Sequence, residues 1–253
     1  MTMEAYIFAF LVLFIAAGIQ GMTGIGYSMI STALLPLMFP FKEAFVSISG
    51  FCVLSALYIV ITEWKYIRFR ILPPVLLGTL SGATLGTYVF LRLDPNTLAL
   101  IFGIVLVAIS VFVLRNDGHY RVTPKFYMGI GAGFISGLAD GACNMPGPPL
   151  AAYYSNVFPD DKSKYYATTT ATFFITGTYR IILLISNGLI TENNVGHIIA
   201  VLIPSIIGFG VGRSLFRKVD SKRIFRLVYI IMIGIGAWLI ASKLFTIWNG
   251  AGI

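Results

Sequence analysis

Charge is scarce in this chain. Only 11% of its 253 residues are Asp, Glu, Lys or Arg, and ten are acids, against about 25% charged residues in a typical water-facing domain. A surface so poor in charge cannot coat a soluble fold. Cysteine is nearly missing too, since Cys52 and Cys143 match no metal-ligand or redox spacing and imply no disulfide framework. The two histidines, His119 and His197, stand far apart, and neither HExxH nor GxSxG occurs, so the familiar hydrolytic centres are not indicated. No cofactor or metal motif is present, and none is expected. Met1 to Phe10 contains Glu4 but no Lys or Arg, so the first apolar run lacks the basic flank of a cleaved leader and reads as retained. The net charge of +8 would suit nucleic acid, but the basic residues are spread over short loops between apolar runs. Membrane topology places them there, and no nucleic-acid partner is expected.

What fills the chain is apolar. With 57% hydrophobic residues and a mean hydropathy of +0.87, it reads as an all-α polytopic membrane protein. Six simple spans are expected at 44–62, 71–91, 97–114, 165–187, 195–216 and 224–241, each near the 20 or so residues that cross a hydrocarbon core. Two further stretches, 4–40 and 125–158, are too long for one crossing and are interrupted at their centres by glycine, proline and small polar residues. Broken backbone at membrane depth must line a cavity or pack inside protein. Placed at the front of each half, such segments point to the substrate site of a transporter.

The halves resemble each other. An offset of 126 pairs Gly78 with Pro204, Gly82 with Gly208, Gly86 with Gly212 and Asp94 with Asp220, while an offset of 116 pairs Gly21 with Gly137 and Gln20 with Ser136. This predicts a first repeat over 1–114, a cytoplasmic linker over 115–124 and a second repeat over 125–253, each a broken hairpin followed by three spans. Basic residues orient the arrangement. If each broken segment crosses once, Lys and Arg divide ten against seven. If it goes in and returns, fourteen face one side and three the other (Lys42, Arg92 and Lys243), with Arg180 left inside the membrane. The second split follows the positive-inside rule far better. It makes the repeats inverted, the fourteen-residue side cytoplasmic and both termini external, with 8–10 helical elements. The hairpin tips, Gly21 to Gly26 and Asp140 to Pro146, should converge near the midplane.

At the first tip, Gly21, Gly24 and Gly26 would let backbone N–H groups approach a ligand, and the following helix start would favour an anion. Gln20, Thr23 and Ser28 add hydrogen-bonding side chains, although such groups also serve their own helix. The second tip offers Asp140, Gly141, Asn144 and Gly147, with Pro146, Pro148 and Pro149 enforcing an unwound turn. The ladder Gly129, Gly133, Gly137, Gly141 reads as a helix-packing face. Asp140, an acid at membrane depth, has two open roles: substrate or coupling chemistry, or a structural pair with Arg180. Thr168, Thr169 and Thr172, followed by Thr176, could present hydroxyls to an oxyanion or tie helices together.

The duplicated pattern, with GFISGLADGACNMPGPPLAAYY opening the second half, resembles the TauE/SafE sulfite exporter family of bacterial membrane proteins, which includes relatives like toluene sulfonate permeases. Gly21, Gly24, Gly26 and Pro36 fit its glycine-rich hairpin, whereas Ala142, Cys143 and Asn144 stand where further glycines are usual. The resemblance implies a secondary transporter in the bacterial inner membrane rather than an enzyme. Its substrate would be a small sulfur-containing anion (sulfite, thiosulfate or an organosulfonate), moved outward by alternating access between the two tips. A proton or sodium ion is the candidate coupling partner, and a homo-oligomer is compatible. A passive anion channel, a small-carboxylate transporter, an intramembrane enzyme and a scaffold are the alternatives.

Overall fold

Backbone that has no water to bond to must satisfy itself, and an apolar chain does so as helix. The computed structural model describes residues 3–24, 26–115, 125–190, 192–215 and 221–250, and these contain ten α-helices and no strand. The first five are α1 (Met3–Thr23), α2 (Tyr27–Leu34), α3 (Phe41–Glu63), α4 (Leu72–Arg92) and α5 (Pro95–Arg115). The second five are α6 (Phe126–Cys143), α7 (Gly147–Val157), α8 (Lys162–Ser186), α9 (Glu192–Leu215) and α10 (Ser221–Gly250). Five of them are long and apolar enough to cross a bilayer: α1, α3, α4, α5 and α8, and shorter apolar runs cover Ile199–Leu215 and Tyr229–Leu244. Outward faces carry Ile61, Leu77, Ile206 and Ile230, all exposed, a surface made for hydrocarbon. The chain is an all-α polytopic membrane protein. The expected linker, apart from Arg115 at the end of α5, lies outside the described residues over 116–124, as does Asp220.

Each broken segment is two helices around a turn. In the first, α1 ends at Thr23, Gly24 takes φ 84° and Gly26 takes φ 117°, a left-handed backbone that a side chain would strain. In the second, α6 ends on Asn144 at φ 57°, whose N–H donates to the Asp140 carbonyl at 2.8 Å. Asparagine is among the few residues other than glycine that tolerate this conformation. Pro148 then sits in the first turn of α7, where its missing N–H costs nothing. The arms are unequal. α1 has 21 residues and α2 eight, so at 1.5 Å per residue α1 is about 31 Å long and exceeds a half-span.

Helix pairing reveals the symmetry. α4 packs on α6 as α9 packs on α1, α3 meets α9 as α8 meets α4, and α10 touches α2 as α5 touches α7. Two pairs are their own counterparts, α3 with α8 and α5 with α10. Both run antiparallel. Along α3 and α8, Val53 lies by Gly177 while Val60 packs with Ala171. Along α5 and α10, Gly103 lies by Gly236 and Lys243 Nζ donates to Asn96 Oδ1 at 3.3 Å. A two-fold axis relating antiparallel partners must lie across the helices, so the repeat is inverted.

The hairpin register differs from the offset of 116. Gly208 packs against Phe14 and Gly212 against Gly18, whereas Gly82 packs against Phe134 and Gly86 against Leu138. Since α4 and α9 correspond at 126, the hairpins correspond at 120. Gln20 is therefore the counterpart of Asp140, Gly21 of Gly141 and Gly24 of Asn144. The cause is the glycine spacing in α6, which recurs every fourth residue from Gly129 to Gly141. A sequence match can slide by one turn there without losing a glycine.

Candidate functional site

The two turns meet. Gln20, Gly24, Gly26 and Ser28 from the first hairpin and Asp140, Asn144, Pro146 and Gly147 from the second line a single cavity. Its remaining walls are Met29, Cys52 and Ala56, with Phe173, Gly177 and Arg180 from α8. The volume open to the centre of a water-sized sphere is about 30 Å³, room for roughly two waters. A small, compact ligand suits this enclosure.

Local sequence explains each position. Cys52 and Ala56 in α3, and Phe173, Gly177 and Arg180 in α8, recur at spacings of three and four residues, so each set shares one helix face. Gly24 is required sterically as well as conformationally, because a Cβ there would lie 2.6 Å from the Tyr166 ring. Tyr166 braces the first turn through its hydroxyl, which donates to the Gly21 carbonyl at 3.5 Å. Beneath it, the Arg213 guanidinium lies 5.2 Å from the Tyr166 ring and pairs with Glu63.

Within the cavity the charges are buried. Arg180 pairs through Nη1 with the Asp140 carboxylate, and both side chains are 2% exposed. The guanidinium also lies 5.6 Å from the Phe45 ring centroid, a cation–π contact strengthened by desolvation. Yet Arg180 Nε has no hydrogen-bond partner, and neither does Asn144 Oδ1. The Asn144 amide nitrogen donates to Thr32 Oγ1 at 3.4 Å. On the symmetry-related side, Gln20 Nε2 donates to Ser55 Oγ at 2.8 Å. Buried polar atoms are almost always paired, so an unpaired guanidinium nitrogen at a cavity wall marks capacity to bind.

Other sequence-predicted site residues lie elsewhere. Gly21 packs against the backbone at Phe209 and Arg213, and Gly141 against Ala83 and Thr87. Both are helix-contact glycines and neither lines the cavity. The threonine row also stays outside the cavity. Thr168 Oγ1 accepts from the Arg68 N–H at 3.1 Å, and Thr172 shares a 2.9 Å hydrogen bond with the Tyr154 hydroxyl. Thr172 and Thr176 donate to carbonyls four residues back, the ordinary use of hydroxyls in an apolar helix. Thr169 is buried with Oγ1 unpaired but does not line the cavity. The Thr23 side chain lies outside the described residues. Sequence reasoning passed over Met29, Cys52, Ala56, Phe173 and Gly177; the three- and four-residue spacing back from Arg180 was the available signal for the last two.

Inverted helical repeats whose two broken hairpins meet at a buried polar cavity define the architecture of a secondary membrane transporter. The family model described as sulfite exporter TauE/SafE matches residues 9–239, and the chain belongs to that family. No curated protein and no solved structure matches it.

Proposed function

We propose that the protein exports a small sulfur-containing oxyanion (sulfite, thiosulfate or an organosulfonate) across the bacterial cytoplasmic membrane by alternating access, with the anion held between the two hairpin turns. The observation that carries this reading is Arg180: a fully buried cation with an unpaired Nε, on the wall of a cavity formed jointly by both turns. The starts of α2 and α7 lie at the same place, where the first N–H groups of a helix lack intrahelical acceptors and carry partial positive charge; α2 offers those of its first turn and α7 that of Gly147, since Pro148 and Pro149 have none. Gly24, Gly26 and Gly147 allow close approach of backbone to an anion. Gln20, Ser28 and Asn144 supply hydrogen bonds, and the cavity's small size suits a compact oxyanion. With the fourteen-residue basic face cytoplasmic and the termini outside, an inside-negative potential favours outward movement by about 2.3 kcal/mol per charge per 100 mV.

The test is counterflow in proteoliposomes with labelled sulfite, thiosulfate, taurine and acetate, using the wild type and Arg180→Ala. Saturable exchange of a sulfur anion, lost in the variant, is the expected result. Exchange of acetate alone would replace the substrate class, and flux that never saturates would make the protein a channel. Absence of any exchange would overturn the anion reading.

A further inference from the structure

The cavity already holds an anion belonging to the protein. Asp140 occupies Arg180, the one cation lining the cavity among the described residues. The hairpin geometry does not demand an acid at that place, because the two-fold axis puts neutral Gln20 at the equivalent position of the other turn. Gln20 reaches into α3 at Ser55 just as Asp140 reaches into α8 at Arg180. The carboxylate is thus a feature of one half of the site only.

A substrate anion that takes Arg180 while Asp140 stays ionised would put two negative charges on one cation in a buried cavity. An uncompensated buried charge is strongly disfavoured. One proton on Asp140 removes it. We propose that Asp140 is the coupling residue of the carrier: the substrate anion and the Asp140 carboxylate compete for Arg180, and binding of the anion takes one proton onto Asp140. This rests on the anion reading above. The proton adds to a carboxylate oxygen as the Arg180 pair opens, and leaves when the anion departs and the pair re-forms. Anion and proton therefore travel together. The empty carrier and the carrier loaded with a monoanion plus proton are both neutral across the cavity, so both can reorient. A dianion leaves one net negative charge on the loaded form, so on this coupling the membrane potential drives export of a dianion and leaves that of a monoanion to its concentration gradient.

The groups facing Asp140 make it the natural proton acceptor. Arg180 from α8 acts on it electrostatically, and Cys52 from α3 lies within reach of both charges. α4 meets this turn of α6 through Ala83, Gly86 and Thr87, and α5 carries no ionisable residue before Arg115. From α7, Tyr153 and Tyr154 pack with Val75 and Leu150, and α1 contributes Gln20 to the cavity. On α6 itself the other titratable groups are Cys143, beside the turn, and Tyr127, at the far end of the helix.

The experiment uses the full chain purified in detergent, with thiosulfate and methanesulfonate as probes because both stay ionised between about pH 5.5 and 8. Apparent affinity is read from thermal stabilisation. Proton uptake is read with an indicator dye in weak buffer. Wild-type affinity should fall by about tenfold per pH unit where binding is linked to one proton, with one proton taken up per anion bound. Asp140→Asn should bind both anions with no pH slope, and Asp140→Glu should restore the slope. Stabilisation without a slope and without proton uptake would overturn the coupling and leave the anion site standing. No stabilisation by either probe at any pH would overturn both. Should Asp140→Asn fail to fold, proton uptake by the wild type decides the matter alone.

Discussion

Replacing Gly82 by alanine puts a methyl group where the backbone of another helix already lies. A Cβ built there runs into the Phe134 carbonyl oxygen and comes within 2.8 Å of the Leu138 nitrogen, at least about 0.7 Å short of ordinary contact. Backbone cannot rotate away as a side chain can, so α4 and α6 must separate. Overpacking costs about 1–3 kcal/mol, and a clash with backbone falls in the upper part of that range, about 2–3 kcal/mol, offset by about 1 kcal/mol from alanine's better helix propensity. The net loss, about 1–2 kcal/mol, corresponds to a fall of roughly 2–8 °C in melting temperature for a chain of this size. Gly131 is the control. Nothing lies within 4 Å of its Cβ position, so Gly131→Ala should raise the melting temperature slightly through propensity alone. Fluorescence-detected size exclusion after heating reads both variants in detergent. Equal melting of Gly82→Ala and wild type, or an equal fall in both variants, would refute the reading of α4 and α6 as a direct backbone contact.

Arg180→Gln should destabilise by about 3–5 kcal/mol, because it leaves Asp140 buried without its partner; the double variant Arg180→Gln/Asp140→Asn should regain most of that stability in the same heating assay while remaining inactive in counterflow. Val53 and Gly177 face each other across the two-fold axis at 3.0 Å from the Gly177 Cβ position to Val53 Cγ2; a disulfide between cysteines placed there should stop counterflow and release it on reduction, and undiminished exchange by the cross-linked protein would count against relative movement of α3 and α8. Asp161 caps α8, accepting from the Lys164 N–H at 3.0 Å, and Asp161→Ala should cost about 1 kcal/mol while Asp161→Asn costs less. The Lys164 side chain, ion-paired to it at 2.5 Å, and the Lys164 N–H hold its carboxyl below the usual range. A lowered folded-state value means this stabilisation is present above the ordinary carboxylate range and fades as pH falls below it. Acid titration of melting temperature should therefore show a smaller loss in Asp161→Asn than in wild type.

Most of the architecture was legible because hydrocarbon leaves the chain few choices. Apolar runs of about 20 residues had to be helices, and the split of basic residues pointed to hairpins that return to their own side, an inference that the antiparallel pairing of α3 with α8 and α5 with α10 now supports geometrically. Register was less legible. Glycines at every fourth residue of α6 satisfy several offsets equally, and only the contacts of Gly208 and Gly212 with α1 distinguish 120 from 116. Within the site, special backbone was readable where composition is extreme, at Gly24, Gly26 and Asn144. Hydroxyls were not. Thr168, Thr172 and Thr176 share a helical face whether they meet a ligand or their own carbonyls, and which one depends on where α7 and the Arg68 loop pack. Met29, Cys52, Ala56 and Phe173 escaped notice because an apolar wall of a polar cavity looks like any other apolar stretch.

The close contacts divide the molecule along lines that the sequence halves do not follow. Glycines bring α1 into backbone contact with α9, and α4 with α6, so each hairpin's longer arm is locked to a helix from the opposite half. Contacts without side chains between them have little freedom to slide, since any shift drives carbonyls into the neighbouring backbone. The first turn is thus carried on a unit that includes α9, and the second on a unit that includes α4. Between them, α3 and α8 cross at the axis with side chains at their interface and supply Cys52 and Arg180 to the cavity. Movement of one unit against the other would be felt first at Asp140, on α6, and its partner Arg180, on α8. On the mechanism proposed above, the pair that an anion opens is therefore also a link between the two units, so that one displacement event at Arg180 would both admit the substrate and release the carrier to reorient.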